Sequence, residues 1–214
     1  RRSSDLRALS FIRDHRLAGI LKGRQLGIST LIAGYCLWLM LFHDDKNILV
    51  IAISQKTAKN LVLKVREMVK LLPSFLTVET ESWNLTSIRF KNGSQIQAAT
   101  ASPDSARSEA LSLLIMDEAA FLDNDYSIWT GASSTLGTGG QAIMLSTPNG
   151  TSGLFYDKYV DFIEGKKGAF QFIKLPWYLH PDRDQEWRDN EDMRVGKRNA
   201  AQENDCDFLA SGNT

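Results

Sequence analysis

Apolar residues along the chain fall into two kinds of pattern, short unbroken runs and helical stripes. The runs are Leu17-Ala-Gly-Ile-Leu21, Ile48-Leu-Val-Ile-Ala-Ile53, Leu111-Ser-Leu-Leu-Ile-Met116, Ala142-Ile-Met-Leu145 and Phe170-Gln-Phe-Ile-Lys-Leu175. The β-branched Ile48–Ile53 segment reads as a strand buried on both faces, as in a parallel sheet. Ser29–Phe42 is apolar nearly all round, with Ser29 or Thr30 near its start, and reads as a buried helix. Gln55–Leu72 carries Leu61, Val65, Met68 and Leu72 on one helical stripe, and Pro73 stops it. Gly153–Ile163 reads as a third helix. Ser87-Ile-Arg-Phe90 and Gln95-Ile-Gln-Ala98 flank Lys91-Asn-Gly-Ser94, a hairpin turn signal. The first sixteen residues are basic and polar, and the last forty are charged and helical in pieces. No internal repeat or low-complexity segment appears. Strands alternating with helices predict an α/β fold: a mainly parallel central sheet flanked by helices, with a small β-hairpin insertion.

Composition narrows this picture. A length of 214 residues allows one domain with a small appendage. With 43% hydrophobic and 23% charged residues, a wholly disordered, collagen-like or coiled-coil chain is excluded. Lys+Arg and Asp+Glu are 25 each, so any nucleic-acid contact must come from a local patch. Cys36 and Cys206 are too few for a disulfide framework and lack zinc spacing, which fits a reducing, intracellular setting. No apolar run approaches the ~20 residues of a bilayer span. No signal peptide is visible, and a start at Arg1 without Met points to a fragment. His15, His43 and His180 show no metal spacing. Trp38 reads as core, Trp177-Tyr-Leu-His-Pro181 as packing, and Lys56, Lys59, Lys64, Arg66 and Lys70 as a solvated helix face.

Three loops, each after a strand, carry chemistry. Lys22-Gly-Arg-Gln-Leu-Gly-Ile-Ser-Thr30 is a degenerate phosphate loop. Gly27 and Ser29 stand where the second glycine and the hydroxyl residue belong. Ile28 occupies the lysine position, and Lys22 the first glycine position, five residues before Gly27. Lys22 is therefore the candidate phosphate cation, with Arg24 a second one that reaches the γ-phosphate or turns outward to an acidic residue. Backbone N–H groups of Gly23, Gln25, Leu26, Gly27, Ile28 and Thr30 belong to the same cradle. Ser29 would ligate Mg2+. The second loop follows Leu111–Met116 and opens with Asp117-Glu118. Asp117 at the strand's end suits the Mg2+ shell, and Glu118 can polarise a water for in-line attack. In the third, Ser146 and Thr147 follow Ala142–Leu145.

Together these loops resemble the ATPase domain of the large terminase subunit of tailed double-stranded DNA bacteriophages. The resemblance rests on Gly23-Arg-Gln-Leu-Gly27, Pro103-Asp-Ser-Ala-Arg107, Ile115-Met-Asp-Glu-Ala-Ala-Phe121 and Leu145-Ser-Thr-Pro-Asn-Gly150. Ser74-Phe-Leu, Asn92-Gly-Ser94 and the tail Cys206–Thr214 add to it, so that it spans about Arg16 to Thr214. It implies a P-loop NTPase fold of the ASCE type (additional strand, catalytic glutamate), in the form whose phosphate-loop lysine is displaced to the start. It implies that Asp117 is the Walker B aspartate and Glu118 the catalytic glutamate. Ser146-Thr147 would be the coupling motif that senses the γ-phosphate. Arg24 matches the arginine of the terminase phosphate loop, and Arg107 an arginine finger. The implied cofactors are ATP and Mg2+. The implied partners are double-stranded DNA, the portal and procapsid, the small terminase subunit and further copies in a ring, the isolated domain being monomeric, with no membrane. The implied place is the host cytoplasm. Residues 1–15 would be a truncated basic segment, 16–176 the ATPase core, and 177–214 a helical extension leading to a nuclease domain absent from this chain.

Two other readings compete. A helicase-like DNA translocase would need a second RecA-like domain, for which the chain is too short. A nucleotide-binding assembly module without efficient hydrolysis would have no use for Glu118.

Overall fold

The computed structural model describes residues 2–102, 110–137 and 139–211. Arg2–Asp14 is a helix, α1. It is followed by β1 (Leu17–Lys22), α2 (Ile28–Phe42), β2 (Asn47–Ala52), α3 (Gln55–Lys70), and the strands β3 (Thr80–Trp83), β4 (Ser87–Phe90) and β5 (Gln95–Thr100). Then come β6 (Leu113–Asp117), α4 (Asp125–Thr135), β7 (Gln141–Ser146), α5 (Leu154–Ile163) and β8 (Gln171–Leu175). The short helices α6 (Gln185–Val195), α7 (Lys197–Ala200) and α8 (Phe208–Ser211) finish the chain, with a π-helical turn at Ala201–Asp205. The eight strands form a mostly parallel sheet in the order β3-β4-β5-β2-β6-β7-β1-β8. Two compact units divide the chain: Arg1–Leu26 with Glu118–Phe121 and Ile143–Thr214, and Gly27–Asp117 with Leu122–Ala142.

In the second of these units, β2 is buried at all six positions because parallel β5 and β6 flank it and side chains cover both its faces. On α3, Ala58, Leu61, Val62 and Val65 face inward, and the Ser54 hydroxyl caps the helix by accepting from Thr57 N–H. The hairpin forms as its Asn-Gly signal predicts, with Gly93 at φ 82° and β4 antiparallel to β5. Its turn also ends α2. Asn92 Nδ2 donates to the Met40 carbonyl (2.9 Å), and the fully buried Ser94 hydroxyl donates to that of His43 (2.7 Å). These bonds take up carbonyls that a helix end leaves unsatisfied. Ser94 Oγ also accepts from Lys46 N–H at 3.2 Å.

In the first unit, β1 pairs in parallel with β8, Gly19 facing Phe172. A Cβ on Gly19 would meet the Phe172 ring at 2.4 Å, so glycine lets that ring lie flat on the strand. Phe172 in turn joins Phe155, Tyr159 and Phe162, and Phe208 packs on Phe155, Tyr156 and Tyr159. Both cysteines are free and buried, and burial pushes the Cys206 thiol up to about 12.

Three elements were not read from the sequence: α1, α4 and the edge strand β3. Trp38, expected in the core, is 44% exposed, stacked on Tyr35 and edge-on to His43. Among the described residues no helix is long and apolar enough to cross a membrane. Because Ser94 makes two buried hydrogen bonds, Ser94→Ala should lower unfolding free energy by about 2 kcal/mol. Urea unfolding followed by tryptophan fluorescence measures this, and an unchanged midpoint and slope would refute it.

Candidate nucleotide site

The phosphate-loop segment starts where β1 ends. Gly23 N–H continues the strand by donating to the Leu175 carbonyl (2.8 Å), and α2 begins five residues later at Ile28. Gln25 and Gly27 both have left-handed φ, 56° and 82°, which bends the chain sharply into the helix. No side chain caps α2 and no acidic residue stands in its first turn. The helix's positive end is thus left for an external anion. Thr30 and Leu31 N–H donate to the Gly27 carbonyl, so helical bonding starts at once. Ser29 is half-buried and Thr30 exposed. Ile28 is only 2% exposed and belongs to the core. An apolar residue fills the place where a charge was missing.

That charge sits on Lys22. Its side chain is buried, with 6% residue exposure, and Nζ donates to Glu118 Oε1 at 3.0 Å. A buried ammonium without an anion is strongly unfavourable, so this pairing fixes where the lysine can point. Glu118 itself has φ 52°, a left-handed value uncommon for a residue with a side chain. The neighbouring Asp117 is 6% exposed at the end of β6. Ser146 and Thr147, at the end of β7, are buried.

Arg24 turns outward, the second of its two expected options. Its Nε lies 2.7 Å from Glu203 Oε2. Arg24 N–H donates to the Glu203 carbonyl (2.8 Å), and the Arg24 carbonyl accepts from Arg183 Nη1 (2.9 Å). A Cβ on Gly23 would stand 2.9 Å from the Asn204 carbonyl oxygen, so only glycine permits this approach of the π-helical turn. Arg188 anchors the turn from α6 through two bonds to Asp205, and its carboxylate partners hold it well above the usual guanidinium range. Arg183, Arg188 and Glu203 were not found by sequence reasoning. Nothing in a charged tail distinguishes them, because they act by backbone approach and by folding back on the loop. Arg107 lies outside the described residues.

Among the described residues no group of three or more His, Cys, Asp or Glu could hold a metal ion by itself. A hydroxyl, an aspartate and phosphate oxygens are what a nucleotide-borne Mg2+ needs, and Ser29 and Asp117 fit that set. The uncapped α2 and the loop before it fit a triphosphate.

A strand–loop–helix cradle of this kind and a buried strand ending in Asp-Glu, on a mostly parallel sheet, define a P-loop NTPase of the ASCE class. Residues 20–214 match the family described as "Terminase large subunit, T4likevirus-type, N-terminal", and the chain belongs to that family. Membership of that family supports a role in the ATP-driven DNA-packaging motor. Its fold is similar to the large terminase ATPase domain of Thermus phage P74-26, with a TM-score of 0.75 and 20% identity. That match covers 94% of this chain and 92% of the other. A large terminase from a thermophilic bacteriophage, solved in complex with ADP, gives a TM-score of 0.73 at 13% identity over 95% of this chain. The chain covers 52% of that protein. The large terminase of bacteriophage HK97 gives 0.61 at 18% identity, over 86% of this chain and 39% of the other.

Burial holds the Glu203 carboxyl above its ordinary value, Glu118 pushes it further up, and Arg24 and Lys22 oppose the shift. A carboxyl with a raised folded pKa favours the folded state most below its unfolded pKa, and the contribution is lost as pH rises through the folded value. Glu203→Gln should therefore raise the melting temperature at pH 7 relative to the parent chain, and the gain should shrink towards pH 4. A gain that grows on acidification would contradict this.

Proposed function

We propose that this chain hydrolyses ATP with Mg2+ and couples the reaction to translocation of double-stranded DNA into a viral procapsid. One observation carries the reading, the 3.0 Å contact of Lys22 Nζ with Glu118 Oε1. There the loop's buried cation meets the glutamate that the reaction requires. In this reading the β- and γ-phosphates lie on the N-terminus of α2, and backbone N–H groups from Gln25 to Ser29 bind their oxygens. An incoming triphosphate gives the Lys22 ammonium a second anion, and the lysine turns from Glu118 to the phosphates. Glu118, relieved of that partner, accepts a proton from the water attacking in line. Ser29 and Asp117 would hold Mg2+, which would supply neutralising positive charge to the phosphates. Arg24 leaves Glu203 to meet the γ-phosphate. Arg107 is offered to the nucleotide of a neighbouring copy, which makes the isolated domain a weak ATPase. The partners are DNA, the portal, the small terminase subunit and further copies in a ring, acting in the host cytoplasm.

Two variants test the assignment. Glu118→Gln keeps an oxygen for Lys22 but cannot take a proton. ATP affinity should persist, while turnover falls by a factor on the order of 10²–10⁴. Phosphate release at saturating ATP measures this, and unchanged turnover would remove Glu118 from the mechanism. Lys22→Ala should weaken ATP binding roughly tenfold or more, the scale of a lost charge-assisted hydrogen bond. Calorimetric titration with a non-hydrolysable analogue reads it directly. Parent-like affinity would mean that another group serves the phosphates.

A further inference from the structure

The turn after Glu118 is gripped from one side by a second turn. The Ala119–Phe121 segment is a single 3-10 turn, closed by Phe121 N–H donating to the Glu118 carbonyl at 2.9 Å. Ala120 N–H donates to Ser146 Oγ at 3.2 Å, and the Ala120 carbonyl accepts from Asn149 Nδ2 at 3.0 Å. Both donor and acceptor of one residue are therefore held by the Ser146–Asn149 turn. Ser146 is fully buried, so its hydroxyl faces protein rather than a ligand. That turn is tied down in its own right, because the Pro148 carbonyl accepts from Gln202 Nε2 at 2.9 Å.

A side-chain-bearing residue keeps a left-handed φ only where its surroundings over-determine it. Glu118 at 52° is such a residue, and the grip on Ala120 lies two residues beyond it. A released Ala120 lets the turn relax, and relaxation at φ of Glu118 swings its carboxylate. We propose that Ser146 and Asn149 are positioning residues for Glu118, setting the direction of its carboxylate through the Ala120 backbone. This rests on the reading of Glu118 as the water-polarising group. It also gives Ser146 a route of action other than touching the γ-phosphate. Movement of the Ser146–Asn149 turn would change the aim of Glu118, and a change at Glu118 would be felt by the turn.

The test uses the full chain. Asn149→Asp is isosteric and exposed but cannot donate to the Ala120 carbonyl. Ser146→Ala removes the acceptor for Ala120 N–H. Each should lower kcat for ATP roughly tenfold to a hundredfold, the scale of a misplaced reacting group, with KM nearly unchanged. In a Glu118→Gln background the same changes should leave the residual rate almost untouched, because they act through the missing carboxylate. Hydrogen exchange at the Ala120 amide should accelerate in Ser146→Ala, while the melting temperature of Asn149→Asp stays near the parent's. Equal losses in both backgrounds, or parent-like kcat in both single variants when Glu118→Gln is dead, would overturn the positioning role alone. A fully active Glu118→Gln would instead overturn the catalytic reading on which it stands.

Discussion

A lysine buried at the end of a strand needs an anion, and here that need organises the loop around it. Lys22 is the last residue of β1, and its aliphatic stem is enclosed among core residues. Breaking a buried pair by removing one partner costs about 3–5 kcal/mol in general. The Glu118 carboxylate, 96 positions away in sequence, supplies the partner. Once Lys22 is held this way, the loop needs no charge at position 28, and Ile28 joins the core of the α2 unit. The unusual lysine position, the apolar residue that replaces it and the left-handed glutamate are thus parts of one arrangement.

Much of the fold was legible because burial on both faces of a parallel strand writes an unbroken apolar run. β2 and β6 read that way. α1 did not, because its inward residues Ala8 and Ile12 form a narrow stripe among arginines and serines. α4 buries small residues, Gly131 and Ala132 beside Ile128, which carry little periodic signal. β3 is an edge strand with its first two positions exposed, so alternation never showed. Trp38 lies on a helix apolar nearly all round, where the sequence gives no direction for the one face left to solvent.

The site was legible in its parts and not in its connections. Glycine spacing and the Asp-Glu pair identified Lys22, Ser29, Asp117 and Glu118 individually. The meeting of Lys22 with Glu118 is a tertiary fact that no spacing encodes. Asn149 stands in the loop after β7, within the Leu145–Gly150 segment that carries the resemblance. That its amide reaches back to Ala120 follows only once β7 has delivered it there.

The π-helical turn at Ala201–Asp205 has a practical meaning for anyone trimming the protein. Arg24 receives its main-chain and side-chain contacts from Glu203 and Arg183, and Gly23 is shaped for the carbonyl of Asn204. The sheet's last strand ends at Leu175, an inviting place to cut. A fragment ended there would retain every strand and both glycines of the loop. It would have discarded the scaffold that holds the loop's first half in shape. A useful fragment therefore keeps Cys206, whose thiol sits buried near the Leu21 and Leu175 carbonyls, and Phe208, whose ring packs on Phe155, Tyr156 and Tyr159.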